Sequence, residues 1–474
     1  MNGRRTISRP CGNPYVSGSS ISRLSVLRST FRLLPAASHL FCLHVVKAFW
    51  LIVVILLNSL AAAQTNCTPG TWTISNQPPD SCLPFATNGI FTKQLPGAGS
   101  GGPMNHLYAN SDAIISNTMT GTDMGIFRVA GPKNYHQDTL GEPIYYATAR
   151  DPIYKITACY YNGPASSDIH NPVGHTFHIP NKALFSNNNP TTGAAYGDEF
   201  LVVWDQTSNL VLGVYAYKEY SSLANCTATT PAAACQTPST WRSCAQSNFS
   251  TGVDYGIHPG ATGALNAPGW ALAIRTNEWM HGEINHALYL NTGCEAVGAV
   301  FPNASPSYTA AICSPNQTLR PREGNLIFLD YTDAQINAMK LPAWQKPIIM
   351  ALTHYGGYIG DTNNALRGGP INVSRVESGQ AYQIAGLNNP LYAWLTGQLG
   401  VTKHGASDNS YTYEMATFGG IPNVIGPNCP STPCGVISHM HIADPCVALR
   451  LAGLSGCAAP SALRRPPRRA FRQN

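Results

Sequence analysis

The stretch VVWDQTSNLVLGVY, Val202 to Tyr215, decides how the chain is read. β-Branched and aromatic residues flank a polar centre. It therefore reads as two strands joined by a turn over Asp205 to Asn209, where Asp, Ser and Asn bond their own backbone and tolerate tight turns. Similar short runs surround it: MGIFRVAG (124–131), PIYKITACYY (152–161), EFLVVWD (199–205) and LVLGVYAYKEY (210–220). Each is bounded by Gly, Pro, Asn or Asp, the signature of strands in a turn-rich sheet. No self-similarity recurs at a spacing of about 20–50 residues, so a solenoid or propeller is excluded. The expected fold is mostly β, an antiparallel β-sandwich or jelly roll with a few short helices.

Helix signals are few. Thr332 to Gln335 has capping-box spacing ahead of INAMKL. Pro347 suits the first turn of KPIIMALTHYG, which stops at Gly356. LYAWLTGQLG is a third candidate, and Thr276 to His281 can form one turn ended by Gly282.

The bulk composition narrows the classes. Only 11% of the 474 residues are charged against 44% hydrophobic, less than half the usual charged share. The formal charge of +6 resides at the ends. Twelve of the 29 basic residues precede the apolar run or close the chain, leaving 17 against 23 acids, or −6, between them. Nothing there resembles a polyanion-binding surface, so nucleic acid is not an expected partner. Such a charge-poor, Tyr-rich surface suits a secreted protein that handles neutral polymers.

Residues 48–60, AFWLIVVILLNSL, follow a basic lead and precede AAAQT. This is the layout of a secretory signal peptide cut after Ala63, and the apolar run is short for a membrane span. A start at Val45 or Val46 would give that leader an ordinary length. Twelve of the 14 cysteines follow the cut, an even number that reads as disulfides on an exported chain, with Cys67–Cys82, Cys294–Cys313 and Cys429–Cys434 as local pairings. The expected organisation is an N-terminal extension and signal peptide (1–63), an extended lead-in segment (64–124), one secreted β-rich domain (125–460) and a basic disordered tail (461–474). The expected location is extracellular or periplasmic, with no stable membrane anchor after cleavage.

The chemistry concentrates in RTNEWMHGEINHALYLN, Arg275 to Asn291. EINHALYL alternates, with Ile284, His286, Leu288 and Leu290 on one face and Asn285, Ala287 and Tyr289 on the other. Glu278 and Glu283 flank the turn before it. Two carboxylates at a cleft can act as acid and base in glycoside hydrolysis when about 5–9 Å apart; a solvated loop and a core histidine are the plain alternatives. In ALTHYGGYIGDT, Tyr355 and Asp361 flank a Gly-Gly turn, and a tyrosine or histidine there could abstract the C5 proton of a uronic acid or simply stack on sugar. Asp198, at the start of an apolar strand, joins Trp270 and Tyr358 as a substrate-binding candidate.

Metal signals do not reach the same level. The zinc-protease order HExxH is absent, no CxxC-like spacing occurs, and His170, His175 and His178 lie on a Pro/Gly loop. His439 and His441 share one face of a strand, as copper and zinc pairs do, but flanking cysteines favour a disulfide-locked terminal strand. No cofactor and no metal are expected. The G-x-S-x-G elbow, Walker loop and dinucleotide fingerprint are missing; GAGSGG (97–102) follows no strand and opens no helix.

Four segments carry a family resemblance: GIHPGATGALNAPGWALAIRTNEWMHGEINHAL (256–288), PREGNLIFLD (321–330), IIMALTHYGGYIGDT (348–362) and SHMHIADPC (438–446). The chain resembles a group of large secreted proteins of acidobacteria and actinobacteria sharing GATxxG, GxIxHAL and ALxxYGxYxxD motifs. The resemblance covers roughly Gly125 to Cys446. It implies export and one contiguous domain, and picks out Glu278, His286, Tyr355 and Asp361 without giving them roles.

The expectation is thus a secreted polysaccharide-acting enzyme, a glycoside hydrolase or polysaccharide lyase, with Glu278, Glu283, His286, Tyr355 and Asp361 as catalytic groups. The alternative is a non-catalytic glycan-binding or cell-surface structural protein. A metal-dependent oxidase or hydrolase using the histidine loops is a third possibility.

Overall fold

The computed structural model describes residues 67–84, 89–119, 125–126, 129–130, 141–157, 172–180, 183–186, 198–217, 243–248, 272–302, 319–339, 341–362, 371–396, 398, 401–405, 411–415 and 436–457. Every described residue lies within the unit Ala62–Asn474. Strands and helices are numbered along the chain.

The largest sheet has six strands in the order β1 (Gly125–Ile126), β12 (Asn372–Val373), β9 (Leu288–Thr292), β11 (Gly357–Thr362), β10 (Leu326–Leu329) and β15 (Met440–Ile442). A four-stranded sheet runs β3 (Ile144–Ala147), β6 (Asp198–Asp205), β7 (Leu210–Tyr217), β8 (Ser243–Asn248). β13 (Val401–Gly405), β14 (Tyr411–Met415) and β2 (Val129–Ala130) form a third sheet, and β4 (Ile153–Lys155) pairs with β5 (Thr176–His178). Most pairings are antiparallel, as expected. However, β1–β12, β9–β11 and β3–β6 are parallel, so the sheets are mixed rather than purely antiparallel.

The opening hairpin forms as read. Asp205 pairs with Leu210 around the turn Gln206–Asn209. The Asp205 carboxylate accepts from the Thr207 amide (3.0 Å), and Asn209 takes the left-handed conformation (φ 59°) that asparagine tolerates. Period-two alternation then divides its apolar residues. Val202, Trp204 and Val211 face one core cluster with Tyr289, Phe328 and Tyr358 of the six-stranded sheet. Leu201, Val203, Leu212 and Val214 face another with Tyr154 and Phe177 of β4 and β5. Both faces are covered, which is why the strands read as continuous apolar runs.

The other face of the six-stranded sheet packs against five of the helices. Leu288, Leu290, Ile327, Leu329 and Ile359 pack with residues of five helices: Ile114 and Ile115 of α1 (Ser111–Thr118), Trp279 of α2 (Thr276–His281), Ile336 of α3 (Asp333–Ala338), Ile348 and Leu352 of α4 (Gln345–His354), and Leu391 and Leu395 of α6 (Pro390–Thr396). Four of these helices follow the expected signals. In α3 the Thr332 hydroxyl accepts from the Gln335 amide (3.2 Å) while the Gln335 side chain accepts from the Thr332 amide (2.8 Å), a complete capping box. α2 ends at Gly282 in the left-handed region (φ 83°). α1, α5 (Gln380–Ile384) and α7 (Pro445–Leu451) were not anticipated; Asp444 caps α7 with Pro445 in its first turn.

Cys67–Cys82 forms as expected, and Cys446–Cys457 is a second disulfide. Cys294 is also disulfide-bonded, while its expected partner Cys313 and the pair Cys429–Cys434 lie outside the described residues. Among the described residues, no helix is long and apolar enough to cross a membrane.

Candidate functional site

The segment preceding β9 holds the first carboxylate. Arg275 is extended and leads into α2, so a glutamate three residues on can fold back to it. Glu278 accepts from the Arg275 amide (2.9 Å) and from its guanidinium (Nη2, 2.7 Å). His286 Nε2 stands 3.5 Å from the same carboxylate, while His286 Nδ1 is 2.8 Å from the Ala287 carbonyl and, since a carbonyl only accepts, carries a proton. All three side chains are buried. Burial alone would raise the Glu278 pKa, but Arg275, followed by His286, outweighs it and holds the carboxyl at about 2. Arg275 also reaches the Pro79 and Asp80 carbonyls (3.4 and 3.2 Å) and lies 5.5 Å over the Trp204 ring.

A second carboxylate arrives from a segment distant in sequence. Single bridges pair Ile274 with Val376 and Glu142 with Glu377, in parallel, and set residues 375–377 beside the start of α2. Glu377 accepts from the Thr276 amide (2.8 Å). Glu278 and Glu377 thus take hydrogen bonds from consecutive backbone amides, those of Arg275 and Thr276. Their electrostatic states differ sharply. Arg275 makes its ion pair with Glu278, and burial pushes the Glu377 carboxyl up to about 7, despite the Thr276 and Gln77 hydrogen bonds.

Two tyrosines and a glutamine complete the cluster. The Gln77 amide donates to both Glu377 oxygens (2.8 and 3.0 Å) and to the Tyr382 hydroxyl (2.9 Å). Burial, reinforced by Glu377, holds the Tyr146 and Tyr382 phenols well above their usual range. The Tyr146 hydroxyl and Arg275 Nη1 are buried and have no hydrogen-bond partner among the described residues. Behind them, Arg375 pairs with Glu142 (2.8 Å) and lies 3.8 Å over the Phe200 ring; burial exceeds the effect of Arg375 and raises Glu142 to about 7.

The lead-in segment covers this group. Besides Gln77, the Pro78 carbonyl accepts from Asn277 (2.9 Å), and the Asp80 carboxylate bridges Asn277 (2.5 Å) and His281 (2.8 Å). Cys67–Cys82 anchors the end of the segment. Glu278 and Glu377 are each 0% exposed beneath it.

The expected site residues separate into three groups. Glu278 and His286 belong to the cluster. Glu283 contributes only its backbone amide, to the Glu278 carbonyl (2.9 Å), and is exposed. The Tyr-Gly-Gly segment does lie beside the strand that follows the glutamate turn: Leu288 donates to the Gly356 carbonyl (3.0 Å), and Tyr358 pairs with Tyr289. Yet Tyr355 and Tyr358 point into the core between the sheets, with Tyr358 edge-on to Phe91 at 5.5 Å. Asp361 occupies β11 opposite Asn291 and Asp198 occupies β6 opposite Tyr217; the side chains of both, and all of Trp270, lie outside the described residues.

The sequence reading missed Arg275, Glu377, Tyr146, Tyr382 and Gln77. A usable signal existed in VSRVESGQAY (373–382), where charged residues alternate with valines in a charge-poor chain. Buried alternating charges need partners on neighbouring strands. Comparison with protein-family models, curated proteins and solved structures finds no match to this chain.

Proposed function

We propose that the protein is a secreted, β-sandwich enzyme acting on extracellular or plant-derived polysaccharide by carboxylate acid–base chemistry. The observation that carries this reading is the divergence of the two glutamates, Glu278 held near 2 by Arg275 and His286 and Glu377 raised near 7 by burial. Paired carboxyls whose surroundings drive them apart can serve as a proton donor and a standing anion at the same pH. In glycoside hydrolysis, Glu377 would protonate the leaving oxygen and Glu278 would stabilise or attack the anomeric carbon. Tyr146 and Tyr382 supply hydroxyls to orient the sugar, and Trp204 supplies an apolar wall. The Gln77 amide sits on Glu377 where a sugar hydroxyl would bind, so substrate entry requires the lead-in segment to move aside.

A second reading, a non-catalytic glycan-binding or cell-surface protein, is favoured by the complete burial of both glutamates. A covered charge cluster can fix how chain segments meet without performing chemistry. The two readings part in one assay. The secreted protein is incubated with a polysaccharide panel, and new reducing ends and unsaturated products are measured for wild type, Glu278→Gln and Glu377→Gln. Cleavage lost in both variants supports the enzyme. Cleavage unchanged in both refutes it, and polysaccharide retention without cleavage by the wild type supports the binder.

A further inference from the structure

The side-chain nitrogen of Gln77 occupies a position that offers more hydrogen bonds than it can make. Gln77 belongs to the covering segment, close to the exposed residues Ser75, Asn76 and Pro79. Its nitrogen turns inward to three acceptors: Glu377 Oε1 (2.8 Å), Glu377 Oε2 (3.0 Å) and the Tyr382 hydroxyl (2.9 Å). The Gln77 oxygen takes one long bond, from the Asn277 amide (3.4 Å). A carboxamide nitrogen has two protons for those three acceptors, whereas a primary ammonium has three, one for each.

The same position lacks a cation. Glu377 is fully buried and makes no ion pair among the described residues, because Arg275 is engaged with Glu278 (2.7 Å) and Arg375 with Glu142 (2.8 Å). A buried carboxylate calls for a charged partner, and Gln77 supplies hydrogen bonds without charge. Two further atoms are left over nearby. The Tyr146 hydroxyl and Arg275 Nη1 make no hydrogen bond among the described residues, on residues only 8% and 3% exposed. Burial raises the Tyr146 phenol, and Glu377, Arg275, Tyr382 and Glu278 all act on it, so its hydroxyl faces the cluster. A ligand with a hydroxyl beside its ammonium satisfies these atoms too. An amino sugar has that arrangement; a lysine side chain, with four carbons behind its ammonium, does not.

We propose, on the reading of this cluster as a glycan site, that Gln77 stands in for an amino sugar, whose ammonium takes the position between Glu377 and Tyr382 when residues 76–81 lift. The ring hydroxyl beside the ammonium meets Tyr146 and Arg275. The ligand displaces the bonds from Arg275 to the Pro79 and Asp80 carbonyls (3.4 and 3.2 Å) and from Asn277 to the Pro78 carbonyl (2.9 Å). Ion-paired Glu377 keeps its charge and has no proton for a leaving oxygen. The amino sugar is therefore a blocking ligand of the proposed hydrolase and not its substrate. N-acetylation abolishes the match, because an acetamido nitrogen carries one proton and no charge.

The test titrates the full secreted chain by calorimetry at neutral pH with a β-1,4-linked glucosamine hexasaccharide, its fully N-acetylated form and trilysine. The wild type is expected to bind the glucosamine hexamer alone. Gln77→Ala should bind it about 10-fold more tightly, the factor that one competing hydrogen bond supplies. Glu377→Gln should bind none, and neither should Gln77→Lys, which brings its own ammonium to the position. Near-UV circular dichroism checks the fold, and should Glu377→Gln fail to fold, the surface variant Gln77→Lys decides the matter. Equal binding of the free and acetylated hexamers, undiminished binding in Gln77→Lys, binding of trilysine in place of the hexamer, or no binding by Gln77→Ala overturns the proposal. Polysaccharide cleavage that depends on Glu278 and Glu377, in a protein that binds no glucosamine hexamer, overturns the amino-sugar site and leaves the hydrolase standing. Glu377-dependent binding of the hexamer without cleavage of any polysaccharide does the reverse.

Discussion

Replacing Glu377 with glutamine should make the protein more stable, and only above mildly acidic pH. The folded-state pKa of Glu377 is raised from 4.5 to about 7 by burial. For a carboxyl shifted upward, the folded state binds the proton more tightly than the unfolded chain. Its contribution to stability is therefore most favourable below pH 4.5 and is lost as pH rises towards 7. A shift of this size corresponds to about 3 kcal/mol, at about 1.4 kcal/mol per unit. Glutamine mimics the protonated acid and can still accept from the Thr276 amide, although its own amide then faces that of Gln77. That lost hydrogen bond costs about 1 kcal/mol at every pH. Glu377→Gln should therefore be about 1 kcal/mol less stable than the wild type at pH 4.5 and about 2 kcal/mol more stable near pH 8. Urea unfolding followed by tryptophan fluorescence, with disulfides intact, measures both. A variant equally destabilised at the two pH values would refute the electrostatic reasoning.

Other substitutions probe the same frame. Arg275→Met strands the buried Glu278 charge and should cost about 3–5 kcal/mol; adding Glu278→Gln should restore much of that loss, and a double-mutant cycle in urea measures the coupling. Removing Cys67–Cys82 by paired serine substitution should cost about 3 kcal/mol for a loop of this length, whose ends are 15 residues apart, and carbodiimide labelling of Glu278 and Glu377 should rise as the covering segment loosens. Gly360→Ala should destabilise by about 1–3 kcal/mol, because the new methyl would collide with the Tyr289 ring, whose hydroxyl donates to the Gly360 carbonyl (2.6 Å). A lowered thermal midpoint reports it.

Local patterns were legible in the sequence where the physics is local. The Val202–Tyr215 hairpin, the Thr332 capping box, the Gly282 stop and the Cys67–Cys82 staple all depend on residues within about 15 positions of one another, and all appear in the structure. The parallel pairing of β9 with β11 depends on connections whose geometry no short pattern encodes. The same limit hid the partner of Glu278. Arg275 is three residues away and could have been proposed as a helix-turn ion pair. Glu377, 101 residues beyond Thr276, reaches that amide only after bridges align the two segments. Tyr355 and Tyr358 have hydroxyls suited to the chemistry, but strand alternation turns Tyr358 into the core, where its ring packs on Phe91. Glu283 stays outside the cluster because Gly282 ends the helix and turns the chain before it.

The most direct measurement is carboxyl titration by carbon NMR, with glutamate side chains labelled, in the wild type, Glu278→Gln and Glu377→Gln. One resonance should titrate near 7 and disappear in Glu377→Gln, and a second should stay ionised down to about 2 and disappear in Glu278→Gln. Both carboxyls titrating together near the ordinary glutamate value of 4.5 would contradict this divergence.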